Sequence, residues 1–168
     1  FFVDDICIDY TAPQLDPLNG QILSSTALGG LAGQDRYPSV EFRNFGINNI
    51  NSFDVTYDYN GIQITENISG LTLTSMATYL VNFNNPITLS ATTNAQVYIS
   101  NINGGQTQST SDDTLALNLN IVVPAQGKLV VGEEATGTWC GWCPRGAVAL
   151  NFMDQDYEGY WQGIAVHN

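Results

Sequence analysis

Ser52-Phe53-Asp54-Val55-Thr56-Tyr57-Asp58-Tyr59-Asn60-Gly61-Ile62-Gln63-Ile64 carries the plainest β-signal in the chain. Phe53, Val55, Tyr57 and Tyr59 alternate with Asp54, Thr56 and Asp58, the period-two pattern of a strand with one face on a core. Asn60-Gly61 follows at once, and this dipeptide accepts the positive φ angles that a two-residue hairpin turn demands. Two antiparallel strands are expected, the second bending onward to Ile68.

Outward from this hairpin, short alternating runs recur at sandwich spacing through 37–124, and no helical period interrupts them. Strands are predicted at 39–45, 76–83, 87–89, 96–102 and 114–123, giving about seven with the hairpin, the strand number of an Ig-like sandwich. In the last of these, Leu115, Leu117, Leu119 and Ile121 alternate with Ala116, Asn118 and Asn120, so one clean core face is expected. Upstream, Pro13, Asp16-Pro17, Asn19-Gly20 and Gly29-Gly30 make 13–36 read as a linker with one short strand at 21–23. Residues 1–12 alternate Phe2, Asp4, Ile6 and Ile8 against Val3, Asp5 and Cys7, a strand with no partner nearby, and Cys7 reads first as a small buried hydrophobe.

Sixteen acidic against four basic residues give a net charge of −12, with Lys128 the only lysine. Phosphate neutralisation is therefore out of reach, which excludes nucleic acid as a partner class and disfavours anionic lipid. No apolar run reaches the length of a membrane span, and no basic segment followed by an apolar one opens the sequence, so a mature or excised segment is implied. Polarity comes mainly from Asn, Thr, Ser and Gln, a composition that points to an extracellular, cell-surface or periplasmic β-protein.

The chemically sharp signal is Thr138-Trp139-Cys140-Gly141-Trp142-Cys143-Pro144-Arg145-Gly146, two cysteines two residues apart. The preceding 128–135 reads as an apolar strand. Pro144 suits the first turn of a helix that Ala147, Val148, Leu150 and Phe152 continue and Gly159 ends, and 161–167 reads as a returning strand. A βαβ unit over 125–168 is expected, with Cys140 at or just before the helix N-terminus, where unpaired N–H groups stabilise a thiolate. Gly141 is expected to let the turn close, and Trp139 and Trp142 to form an apolar collar. The alternatives are a purely structural local disulfide and half a zinc site, the latter needing Cys7 and His167 as further ligands.

These residues resemble the thioredoxin superfamily. The longer string from Val131 to Gly146, with Ile164-Ala165-Val166-His167-Asn168, is similar to a Bacteroidota-type outer-membrane family that places an Ig-like domain before a thioredoxin-like domain. That resemblance implies that Cys140 attacks and Cys143 resolves, supported by Trp139, Gly141, Trp142 and Pro144. It also implies that 125–168 is an incomplete thioredoxin-like unit, because the later strands and the proline loop of the family are absent from it. Arg43-Asn44-Phe45-Gly46, the stretch 52–61 and Ser111-Asp112-Asp113-Thr114 resemble CARDB-type Ig-like modules, which implies a spacer or adhesion unit without catalysis. Phe-Val-Asp-Asp-Ile in 2–6 resembles the closing strand of cleaved-adhesin or MAM-like jelly rolls.

The expected fold class is thus mainly β, an Ig-like sandwich followed by an incomplete βαβ unit. Asp4 with Asp5, and Asp112 with Asp113, are candidate calcium ligands, although solvated edge charges and an ordinary hairpin loop account for them more simply. No other cofactor is called for. Asn67-Ile68-Ser69 fits a glycosylation acceptor. The expected partners are other domains or chains of the same protein, as a homo-oligomer, fibre or complex, with thiol–disulfide exchange on a protein substrate as the alternative function.

Overall fold

The computed structural model of the chain describes residues 14–26, 28–105, 107 and 109–167. The strands before the central hairpin are β1 (Gly20–Ser25), β2 (Gly29–Leu31), β3 (Asp35–Arg36) and β4 (Ser39–Asn44). The hairpin itself is β5 (Ile50–Tyr59) and β6 (Ile62–Leu73). β7 (Thr78–Asn82), β8 (Ile87–Thr88), β9 (Asn94–Ser100), β10 (Thr114–Asn118) and β11 (Asn120–Val122) follow. After them come β12 (Val130–Thr136), the helix α1 (Cys143–Asp156) and β13 (Trp161–His167).

The hairpin forms as the sequence predicts. Asn60 and Gly61 both have positive φ, at 54° and 79°, and the Gly61 amide donates to Asp58 Oδ1 at 3.1 Å. β5 and β9 are the inner strands of a four-stranded sheet ordered β10-β9-β5-β6, and β1-β4-β7 form a three-stranded sheet. The inward residues Phe53, Val55, Tyr57 and Tyr59 are all buried, and so are Ile22, Val40, Phe42 and Val81 from the other sheet. Phe42 and Phe53 stack with ring centroids 4.1 Å apart, and Phe83 meets Tyr57 edge-on at 6.2 Å. One mainly-β sandwich results.

On the outward face of β5, each carboxylate is shared between strands. Asp54 accepts from Asn67 of β6 at 2.8 Å, and Asn101, just after β9, donates to its other oxygen at 2.6 Å. Asp58 accepts from Gln63 of β6 at 3.0 Å and more loosely from Gln96 of β9. The Gln63 bond chiefly holds the Asp58 pKa below the usual carboxylate value. Asn67, the acceptor of the glycosylation triplet, is exposed and gives its amide to Asp54 on the outer face of the sheet. On the inward face, burial and then the neighbouring Tyr59 push the Tyr57 phenol up to about 12.

Two expectations need correction. Residues 20–36 are more than a linker with one short strand: the strand expected at 21–23 lies within β1, which pairs with β4, while β2 pairs with β11, and Ile22, Leu28 and Leu31 are buried. The predicted strand over 114–123 is two strands: β10 pairs antiparallel with β9, the chain bends at the buried Leu119, and β11 then pairs parallel with β2. Strands that change sheets at a corner are a recognised way to close a sandwich. The predicted strand over 1–12, with Asp4, Asp5 and Cys7, lies outside the described residues.

Asn44, fully buried at the end of β4, ties the sandwich edge together. Its Nδ2 donates to Asn48 O at 2.8 Å and Leu73 O at 2.9 Å, and its Oδ1 accepts from the Gly46 amide at 3.0 Å. Asn44→Ala leaves three backbone groups unmet and is expected to cost about 3 kcal/mol. Equilibrium urea unfolding measures this, and a loss below about 1 kcal/mol would show that water satisfies those groups instead.

Candidate functional site: the cysteine turn

β12 and β13 run parallel and in register from Val130↔Trp161 to Thr136↔His167. α1 crosses between them, so the chain forms the expected βαβ order. Gly132 and Gly163 face each other in this register, and a Cβ on Gly132 would lie 2.0 Å from the Trp161 ring. Glycine at 132 is thus what lets the indole lie flat on the strand. Gly146 of α1 serves the same purpose against the Glu134 side chain.

The turn leaves β12 at its carboxyl end. The Cys140 amide donates to Gly137 O at 3.0 Å, Trp142 is the N-cap without a side-chain cap bond, and Cys143 opens the helix with Pro144 beside it in the first turn. Cys140 therefore stands two residues ahead of the N-cap, while Cys143 occupies the first helical position. The two are joined as a disulfide across 5.5 Å between Cα atoms. Both are half-buried, at the end of the helix where backbone N–H groups are unpaired.

The surroundings set the chemistry. Trp139 and Trp142 are 77% and 69% exposed, so they are a surface collar and not packing residues. The Arg145 guanidinium lies 4.3 Å over the Trp142 ring, which places a cation in the first helical turn, and that turn holds no acid. Cys143 Sγ is 3.7 Å from Ala135 O. In the disulfide this is a contact, and in the reduced form it offers the Cys143 thiol an acceptor. Gly141, expected to be needed for the turn, has no positive φ and open space where a Cβ would stand.

The remaining candidates are placed apart. His167 ends β13 opposite Thr136, at the end of the strand pair from which the cysteine turn departs. Among the described residues no group of three or more His, Cys, Asp or Glu side chains is arranged to hold a metal ion. Asp112 accepts from Asn19 and Ser109, each at 3.4 Å, and Asp113 Oδ2 accepts from the Thr107 hydroxyl. Their backbone carbonyls accept from Ile22 and Ile99, so the two aspartates staple the 107–113 loop to β1 and β9. Burial raises the Asp113 pKa, against the lowering effect of the Thr107 bond and with a further rise from Asp112. Asp113 Oδ1 is buried without a partner beside a hollow of about 300 Å³. Sequence reasoning did not single out Arg145 or the Ala135 carbonyl, because stacking on Trp142 and the approach of the strand end are tertiary facts.

The sequence matches no family model and no curated protein. Among solved structures, the chain is similar to the CARDB domain of a Pyrococcus furiosus protein in complex with di-metal ions. Identity is 12%, 68% of this chain and 99% of that chain are covered, and the TM-score is 0.49. It is also similar to a domain of a Methanosarcina acetivorans protein provisionally described as a cell surface protein, at 21% identity, 67% and 94% coverage and a TM-score of 0.47. At these scores the sandwich is defined by its own strand pairing.

The two glycines separate by experiment. Gly132→Ala must displace the indole and is expected to cost about 2 kcal/mol, whereas Gly141→Ala is expected to be neutral or to stabilise by about 0.5 kcal/mol through the unfolded chain. Amide hydrogen exchange of β12 reads the difference, with faster exchange in the first variant alone.

Proposed function

We propose that the chain belongs to a secreted or surface-anchored multidomain protein, with the Ig-like sandwich as a spacer or assembly unit and the βαβ unit as part of a thioredoxin-like fold. The observation that carries this reading is the contrast between the two parts. The sandwich buries its large apolar side chains in one core. Parallel strands normally have both faces covered, yet Val130, Val131, Ile164 and Val166 are exposed and no residue of α1 is buried. A surface of this kind is completed by further protein, either of the same chain or of a neighbour. Among the described residues no helix is long and apolar enough to cross a membrane.

The intact mass and sedimentation behaviour of the protein isolated from its source test this. A covalent species far heavier than 18.2 kDa supports a multidomain chain. An assembly of 18.2 kDa chains points to neighbours that complete the fold, and a dispersed 18.2 kDa monomer overturns the proposal.

A second reading, thiol–disulfide exchange, is favoured by the asymmetry of the cysteine pair. In the reduced protein, Cys140 lies just ahead of the helix N-terminus with its unpaired N–H groups, and the Ala135 carbonyl offers the Cys143 thiol an acceptor. The Cys140 thiolate attacks a substrate disulfide, forming a mixed disulfide and releasing one substrate thiolate. Cys143, once deprotonated, then attacks Cys140 Sγ, releases the second substrate thiolate and leaves the Cys140–Cys143 disulfide described above. The substrate is reduced and the dithiol oxidised, two electrons each. In an insulin-reduction assay driven by dithiothreitol, Cys140→Ser is expected to abolish turnover, and Cys143→Ser to trap the mixed disulfide. Turnover by Cys140→Ser equal to that of the parent protein removes this reading.

A further inference from the structure

At the opposite end of α1 from the cysteines, a cleft of about 420 Å³ lies between the sandwich and the βαβ unit. Leu31 and Val122 wall it on the sandwich side, Met153, Tyr157 and Trp161 on the other, and Lys128 stands on the segment that joins the two. This volume is in the range of small-molecule sites, and the walls are almost wholly apolar. The two sides are tied beside the cleft: Arg36 Nη2 pairs with Asp156 Oδ1 at 3.4 Å, and Gln34 Nε2 donates to Asp156 O.

One cation, Lys128, interrupts the apolar lining. Lys128 is the only lysine in a chain with sixteen acidic residues, yet it forms no ion pair among the described residues, where Arg36–Asp156 is the pair that forms. An ammonium beside apolar surface attracts an anion that brings its own apolar body. The carbonyl end of α1 carries partial negative charge near Tyr157, which directs an anionic head away from the helix and toward Lys128.

We propose that this cleft binds a small amphipathic carboxylate, its head at Lys128 and its aliphatic body along Met153, Tyr157 and Trp161. The inference is independent of the redox reading, because no residue of the cysteine turn lines the cleft.

Isothermal titration of the full chain at pH 7 with octanoate and, separately, with octan-1-ol tests it. Octanoate is expected to bind one-to-one and about tenfold more tightly than the alcohol, the difference that one charge-assisted hydrogen bond supplies. Lys128 is exposed, so Lys128→Gln should fold normally, reduce octanoate affinity to that of octanol and leave octanol unchanged. Val122→Trp, which fills the cleft, should abolish both while leaving the circular dichroism spectrum intact. Equal affinity for acid and alcohol, no effect of Lys128→Gln on octanoate, or no saturable heat with either probe overturns the proposal. So does sedimentation showing that a second copy of the chain already covers the cleft.

Discussion

The ring stack of Phe42 on Phe53 is the contact on which the sandwich depends. One ring comes from the inner strand of the three-stranded sheet and the other from an inner strand of the four-stranded sheet, with centroids 4.1 Å apart and both side chains buried. Placing them together fixes which face of β4 and which face of β5 turn inward, and the two-residue period then assigns every other side chain on those strands. Val40 follows Phe42 inward, while Val55, Tyr57 and Tyr59 follow Phe53. A one-residue slip in β5 would bring Asp54 and Asp58 into the core, where unpaired carboxylates are not tolerated. The outward carboxylates instead gather amide donors from both neighbouring strands, so the polar face reinforces the register that the apolar face selects.

The same pattern explains what was legible from sequence. The hairpin, the strand order downstream of it and the β–α–β sequence around the cysteines all rest on local periodicity or on one diagnostic dipeptide, and these the amino acids display directly. Beyond the short strand read at 21–23, the sandwich strands of 20–36 were hidden because the glycines there carry a second meaning. Gly20 reads as a turn residue after Asn19, but a Cβ there would lie 2.6 Å from both Ile102 and Phe42, so glycine is present to admit close packing. Turn chemistry and close approach use the same residue, and only the tertiary neighbours tell them apart. The break at Leu119 was equally hidden, since the alternation of 115–121 continues unbroken while the chain exchanges one pairing partner for another.

At the cysteine turn, spacing identified the pair and the helix start, but not which glycine the packing requires. Gly141 looked necessary because glycine between two cysteines suggests a tight loop, whereas the backbone there takes an ordinary conformation that any residue can adopt. The glycine that matters is Gly132, nine residues before Gly141 on the strand, where it accommodates an indole from the neighbouring strand. The two tryptophans beside the cysteines, expected as an apolar collar, lie on the surface. An aromatic side chain records its hydrophobicity in the sequence, but not which way the turn presents it.

The bond between Cys140 and Cys143 is itself informative about purpose. A cross-link stabilises chiefly by restricting the unfolded chain, and its effect grows with the loop it closes. Two intervening residues close nearly the smallest loop a disulfide can, so this one removes the least chain entropy and is a poor choice if stability were the aim. It also sits in the part of the molecule with the fewest buried apolar groups, where opening fluctuations cost least. The sandwich, which carries the stability, has no cysteine among its described residues. A half-exposed disulfide between Cys140 and Cys143, beside two exposed tryptophans and Arg145, therefore adds little to holding the chain together.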